Sequence, residues 1–506
     1  MKNQLVIIVL LFSVILYPQT ADKQIRPAIS NLYNFNFNKA TQQLDFFSVK
    51  YKNDPRGYYY KSVMNLWFFL GTLDEAYKDS FDYYSDKAVS ILENLGDKNE
   101  SDKIKKFFWL GMIEYNRSVI AARSNDFASA LVSVNNMRRR LDEVINLNPE
   151  FYDAYLGIGL SNFAFAEVPA ALKWAANLVG FESDKELGLN YLHLVAEKGS
   201  ILRTDAQFYL SQIYSRTIID YNEAEKILNS LIRSFPKNLL FNYSYALIKY
   251  ELNDLNASEK IARNIIASND SLFPFIISNS HLLLGNVFFS REQYDSALIH
   301  YSFFRDKRIN NDYLGFANLR SGLCHELLGN RKQAIKFYEK TDEGNKDIDE
   351  DIYAEKIGKL LIQKPISNEF KLTLRARNLI KTKKFKDAED ILSDIISNKE
   401  FSSGLKAEAY LLLSESELLN KKFNNAFENA QISLKLNNNK DTEISARAYY
   451  FSALALFNLN RTSEAVSFLN KIEDLNEFDF QTSLKNKSYS LFRKITKQSD
   501  SNQKIN

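Results

Sequence analysis

A chain of 506 residues with 65 Lys and Arg against 62 Asp and Glu carries a net charge of only +3, so no overall field draws it to nucleic acid or anionic lipid. Its length suffices for about three globular domains, or for a longer series of repeats in which each unit packs only on its neighbours. With 16 Gly and 8 Pro it has few turn residues for a β-rich architecture, and its 13% of aromatic residues suit the gaps between stacked helices.

The chain opens with Lys2, an apolar run from Leu5 to Leu16, and then Tyr17-Pro18-Gln19-Thr20-Ala21. A charged start, a short apolar middle and a small residue at the end form the pattern of a secretory signal peptide over residues 1–21. The apolar run is shorter than the roughly 20 residues a helix needs to span a bilayer. The expectation is export to the periplasm or cell envelope. The alternative is an anchor formed by an uncleaved N-terminal helix, because Gln19 stands where a small residue is usual. Cys324, the only cysteine, lies far inside the chain, which excludes a lipoprotein anchor and an intramolecular disulfide. It is read as a small buried hydrophobe.

An aromatic residue three positions before an alanine then recurs along the chain. The doublets are Phe37/Ala40, Phe127/Ala130, Tyr221/Ala224, Tyr294/Ala297, Phe385/Ala388 and Phe423/Ala426. At this spacing both side chains share one helix face, so the aromatic can wedge against a partner helix where the alanine permits close approach. Small residues stand twelve positions ahead of several of these alanines: Ser118, Gly285, Ala376 and Ser414. Gly322 stands twelve before Ala334, and Ala453 twelve before Ala465, where Thr462 replaces the aromatic. Gln212, ahead of Ala224, breaks the rule. Tyr294, Ala297, Leu298, Tyr301 and Phe304 fall on one helical face. The unit is a helix–turn–helix hairpin whose two axes cross at the small residues.

Asn148-Pro149 and Phe235-Pro236 close hairpins, and Asp153-Ala154-Tyr155-Leu156 opens the next. With the doublets, this pattern resembles the tetratricopeptide repeat, from about Asn31 to Phe492 and most clearly after Ala206. The expected fold is all-α, a right-handed superhelix (solenoid) of about eight to ten helical hairpins, with a concave groove lined by the first helix of each. Within it, Val168-Pro169, Leu172, Gly180-Phe181, Asp184, Gly188-Leu189 and Leu192 resemble a segment of the family that includes tetratricopeptide repeat protein 39 and the yeast inclusion-body-clearance protein. That resemblance covers about Phe151 to Tyr214. It implies a helical-repeat adaptor without catalysis, at organelle or lipid surfaces in eukaryotes, and an exported chain departs from that setting.

The expected organisation is a signal peptide at 1–21, N-terminal repeats at 22–160, an apolar helical segment at 161–204, central repeats at 205–340, an acidic insertion or junction at 341–366, C-terminal repeats at 367–492, and a polar tail at 493–506 that frays. In the apolar segment, Trp174 and its neighbours are read as core rather than as a membrane or partner surface, because all-round apolar character means burial.

Chemistry-bearing motifs are sparse. His193, His281, His300 and His325 form no metal-spaced pair, and with one cysteine no zinc site is expected. Gly157-Ile158-Gly159 lacks the third glycine of a phosphate loop and reads as close helix packing. No Gly-x-Ser-x-Gly elbow occurs. Arg138-Arg139-Arg140 points around most of a helix and reads as a solvated face. The acidic run from Asp342 to Asp351 lacks the ligand alternation of a calcium loop and reads as a solvated linker. No catalytic residue, cofactor or metal is therefore expected.

The function these features imply is a non-enzymatic scaffold that binds a protein or peptide partner in its groove. No nucleic-acid partner is expected, and membrane contact is not favoured. The rival is an envelope protein of the SusD kind, which binds nutrient glycans on helical repeats. Such proteins are usually lipoproteins with long loops, whereas Trp67, Trp109 and Trp174 all fall in helix-like patterns here. A helical toroid glycosidase is a weaker third reading.

Overall fold

The computed structural model describes residues 20–96, 99–167 and 184–503, with side chains to 498. Almost all of the signal-peptide segment, and the apolar stretch from Val168 to Phe181 with Trp174, lie outside these residues. Among the described residues the chain is all-α, without a strand.

Ten helical hairpins follow one another among the described residues. They are α1–α2 (Ala21–Tyr33, Phe37–Lys50), α3–α4 (Arg56–Thr72, Glu75–Glu93) and α5–α6 (Glu100–Arg123, Phe127–Leu147). After α7 (Tyr155–Ala166) and α8 (Lys185–Lys198) come α9–α10 (Arg203–Arg216, Tyr221–Ser234), α11–α12 (Leu239–Glu251, Leu255–Ser268), α13–α14 (Pro274–Ser290, Tyr294–Lys307) and α15–α16 (Leu314–Leu327, Arg331–Tyr338). A single helix α17 (Asp349–Gln363) precedes α18–α19 (Asn368–Lys381, Phe385–Ser397), α20–α21 (Ser403–Leu419, Phe423–Asn437) and α22–α23 (Thr442–Asn458, Thr462–Glu473), and α24 (Gln481–Gln503) ends the chain. Contacts divide the described residues into two compact units, one of 20–67 and 75–140, the other of 68–74 and 141–503.

Each hairpin turns by the same device. The residue two positions before the second helix is left-handed in all ten: Phe35, Leu73, Asn125, Ile219, Asn253, Glu292, Gly329, Lys383, Lys421 and Asn460. Side-chain caps start many of the helices, as where Asp220 accepts from Glu223 N–H, Asn238 from Phe241 N–H, Asp254 from Ala257 N–H and Asp441 from Ile444 N–H.

Small side chains occupy the crossings. Ala40, Ala224, Ala297, Ala334, Ala376, Ala388, Ala426, Ala453 and Ala465 are all fully buried. In α13–α14 a Cβ at Gly285 would lie 2.5 Å from Cε1 of Tyr301, and in α15–α16 one at Gly322 would lie 2.5 Å from Cδ1 of Tyr338. Each glycine thus admits a tyrosine sixteen residues later. Where the first position is Ala376 or Ala453, the same place holds the smaller Leu392 or Leu469. The Ser414 hydroxyl donates to the Ala426 carbonyl at 2.7 Å, bonding the twelve-residue pair directly. The first unit holds the exception: Ala130 is only half-buried, and Phe127 is 65% exposed rather than wedged. Gly159 of α7 does pack against Gly188 of α8, a Cβ on the latter lying 2.7 Å from the Gly159 carbonyl.

Two regions differ from the sequence expectation. The acidic run is no solvated linker, for Asp349–Gln363 is α17, and Asp351, Ala354, Gly358 and Leu361 form its buried stripe. The Asp351 carboxylate accepts from the N–H groups of Phe316 and Asn345, both at 2.8 Å, so it serves the N-terminal turn of α15. The polar tail does not fray at Arg493 either. α24 continues through it, burying Leu484, Leu491 and Ile495 on one face. Its distal end is tied back to the start of the second unit: Tyr489 and Arg493 donate to Glu186, and Lys494 pairs with Asp220 at 2.9 Å.

Candidate functional site

A cavity of about 580 Å³, open on one side, lies among the C-terminal helices of the second unit. The first helices supply most of the lining through a repeated register. Six, three and two residues before the small crossing residue, and one after it, give a single helical face. From Gly322 these are Phe316, Leu319, Arg320 and Leu323 of α15; from Ala376, Phe370, Thr373, Leu374 and Arg377 of α18; from Ala453, Arg447, Tyr450 and Phe451 of α22. Glu415, one after Ser414, comes from α20. Tyr353 and Ile357 of α17 and residues 478–487 complete the wall. A second cavity of about 370 Å³, reaching Tyr221, Tyr250, Glu251 and Asn378, shares Arg320, Leu374, Arg377, Glu415 and Lys487 with the first.

An ionic cluster, half-buried except at the exposed Arg377, ties this surface together. Arg377 donates to Glu408, which also accepts from Arg447 at 3.4 Å. Glu415 and Glu443 each stand 3.6 Å from the same Arg447 guanidinium. Burial works against the Arg447 charge, but Glu408, Glu415 and Glu443 raise it above the ordinary arginine value. Burial also holds the Glu443 carboxyl above the usual carboxylate range, against the pull of Arg447 and Arg377. The Tyr450 phenol is pushed up to about 12 by burial, with Asp220 adding to it. On the α24 side, Lys356 pairs with Asp479 at 2.8 Å and Tyr353 packs on Phe480 at 5.1 Å between ring centroids.

Of the repeat positions singled out in the sequence, Tyr221 lines the second cavity and the others line neither. Gly285, Gly322, Ala376 and Ala453 face the second helices of their hairpins, and the doublet residues Tyr294, Phe385 and Phe423 are half-buried there. Tyr221 is the doublet aromatic that reaches one of these two cavities. The site residues escaped sequence reading, although the register that finds them is countable from each small residue. The hairpin α11–α12 escaped too, despite Ala246 and Ser258 at the twelve-residue spacing; the Ser258 hydroxyl donates to the Ala246 carbonyl at 2.9 Å.

The histidines do come together once. His281 and His300 share an Nδ1···Nδ1 hydrogen bond of 2.9 Å, with His300 stacked on Phe288 and His281 on Phe303. Burial, then His281 and Arg263, push His300 down to about 4, and burial lowers His281 as well. Among the described residues no cluster of three metal-ligating side chains occurs, and no helix is long and apolar enough to cross a membrane.

A sequence model of the tetratricopeptide repeat matches residues 205–238, the hairpin α9–α10 with its closing turn. The chain contains a tetratricopeptide repeat. No curated protein matches it in sequence. Among solved structures it is similar to the tetratricopeptide repeat domain of P58(IPK), with 14% identity over 78% of this chain and 99% of that one and a TM-score of 0.21. It is similar to yeast Tom70, with 13% identity, 91% and 93% coverage and a TM-score of 0.31. Human IFIT1, solved as a dimer with PPP-AAAA, gives 14% identity, 81% and 90% coverage and a TM-score of 0.32.

Proposed function

We propose that the chain is a non-enzymatic scaffold that binds a protein or peptide partner on the inward faces of its first helices. The observation that carries this reading is α24. It packs through Leu484, Leu491 and Ile495 into the core of the hairpin α22–α23, borders the cavity through Leu484 and Lys487, and is tied at its far end to Glu186 and Asp220. A partner helix with a similar apolar stripe would lie alongside α24 or take its place, the helix-in-groove mode of recognition. The N-terminal pattern of Lys2 and the apolar run to Leu16 supports export to the cell envelope. The pattern around Asp184 and Gly188 supports kinship of 151–214 with the family of tetratricopeptide repeat protein 39.

The test is a crosslinking pull-down from native envelopes, with the full mature chain as bait. A stoichiometric protein recovered by the wild-type chain, enriched when α24 is truncated after Asn476, and lost in Arg377→Glu, is the expected result. A blank in all three baits overturns the scaffold reading. Cell fractionation with N-terminal sequencing of the mature protein tests export, and a cytoplasmic chain beginning at Met1 refutes it.

A further inference from the structure

We propose that the chamber behind α24 is a binding site for a small anionic amphiphile, with its head held by Arg320 and Lys487 and its apolar body among the aromatic walls. This inference stands apart from the scaffold reading, because the chamber is bounded by α24 rather than occupied by it.

Arg377 and Arg447 are answered by Glu408, Glu415 and Glu443, and Asp479 by Lys356. Arg320 and Lys487 line both cavities, and among the described residues neither has a carboxylate within ion-pair distance. The Arg320 guanidinium instead lies over the rings of Phe289, at 4.3 Å, and Phe316, at 4.9 Å. Ring faces leave the outward N–H groups of a guanidinium free to take an anion. Lys381, at the smaller end, rests over Tyr250 at 4.0 Å. Against these three cations the smaller end sets Glu251, since Glu415 already serves Arg447.

An unanswered donor makes the same point independently. Asn378 lines the smaller end at 6% exposure, and its amide nitrogen has no hydrogen-bond partner. A buried donor left without an acceptor is costly, and an anionic head beside Arg320 supplies one. The larger end offers the opposite chemistry: Leu319, Tyr353, Phe370, Phe451 and Phe480 form apolar walls. A pocket of this volume with apolar walls and a few convergent polar groups suits a small organic ligand. The wall containing Asp479 and Lys487 is pinned by Lys356 and, farther along α24, by Glu186, so the occupant has to fit behind it.

The shared chemistry is one carboxylate or phosphate on an apolar stem, and three probes separate its sources. The purified full chain is titrated calorimetrically with decanoate, decyl phosphate and an acetylated Leu-Leu-Phe peptide bearing a free carboxylate, all below micellar concentrations, with neutral decanol as control. Saturable one-to-one binding of an anionic probe is expected, at least tenfold tighter than decanol and weakened at least tenfold by Arg320→Gln and by Lys487→Gln. The tightest of the three probes then assigns the head and its source. Lys487 is only half-buried on α24, so Lys487→Gln keeps the test decisive should Arg320→Gln lower the melting temperature. Absence of saturable binding by every anionic probe overturns the proposal. So does decanol binding as tightly as decanoate, or affinity unchanged in Lys487→Gln.

Discussion

Replacing Gly322 by alanine puts a methyl group 2.5 Å from Cδ1 and 3.1 Å from Cζ of the Tyr338 ring. Carbon atoms in contact rest at about 3.5–4.0 Å, so the overlap is about 1 Å. The ring has nowhere to go: Tyr338 is 1% exposed, and its hydroxyl donates to Glu326 at 2.7 Å. Glu326 is itself fixed by Arg331 and by the Ile366 N–H. Either α15 and α16 move apart, at an overpacking cost of about 1–3 kcal/mol, or the ring turns and gives up a hydrogen bond to a charged group, worth about 1.5–3 kcal/mol. Gly322→Ala is therefore expected to destabilise the second unit by about 2–3 kcal/mol in urea unfolding followed by helical circular dichroism. The same chain supplies the remedy, since the Ala376/Leu392 and Ala453/Leu469 crossings pair alanine with leucine. Gly322→Ala combined with Tyr338→Leu is expected to lose less than the sum of the single variants by about 1–2 kcal/mol, the signature of directly touching residues. Additive losses, or a Gly322→Ala variant within about 0.5 kcal/mol of wild type, refute the crossing argument.

Other positions make sharper, smaller tests. Ala297→Leu fills a fully buried crossing and is expected to destabilise by roughly 1–3 kcal/mol; an unchanged melting curve counts against the packing described. Lys421 is exposed and left-handed, so Lys421→Gly relieves about 1–2 kcal/mol of backbone strain against about 0.4–1 kcal/mol of unfolded-state entropy. A net gain of about 0.5–1 kcal/mol is expected, and any loss in the denaturation midpoint contradicts it. His300 has its folded value lowered from 6.5 to about 4, so the unfolded chain binds the proton first as pH falls. Its contribution is intact above 6.5 and is lost towards 4, about 1–3 kcal/mol in all, measured as wild type minus His300→Asn; a flat difference between those pH values rules it out. Burial pushes the Cys324 thiol up to about 12, so alkylation at neutral pH should proceed only through unfolding and track its urea dependence. Fast labelling of the native chain would contradict the burial.

Much of the hairpin architecture was legible because helix crossings constrain size at fixed spacing. The twelve-residue pairs from Gly285/Ala297 to Ala453/Ala465 encode the contact of two helices across three intervening turn residues, and that is a local property. Turn chemistry was less legible, since nine of the ten left-handed positions are not glycine: Asn stands at three of them, but the other six, Phe35, Leu73, Ile219, Glu292, Lys383 and Lys421, carry no turn signal. Helix α17 was missed because its charge count outweighed its stripe, although Asp351, Ala354, Gly358 and Leu361 hold the spacing of one face.

By itself, then, the sequence determined the class of the fold and the place of most hairpins, through periodicity and the size of crossing residues. It also held the register of the inner face, readable once a small residue is located. Only the tertiary structure decided which first helices share a chamber, that Arg447 sits among three carboxylates while Arg320 and Lys487 meet none among the described residues, and that α24 returns to Glu186 some three hundred residues earlier. Charge balance at a point depends on which segments the stacking of hairpins brings together. Spacing along a helix fixes the direction a side chain takes, but not what stands opposite it.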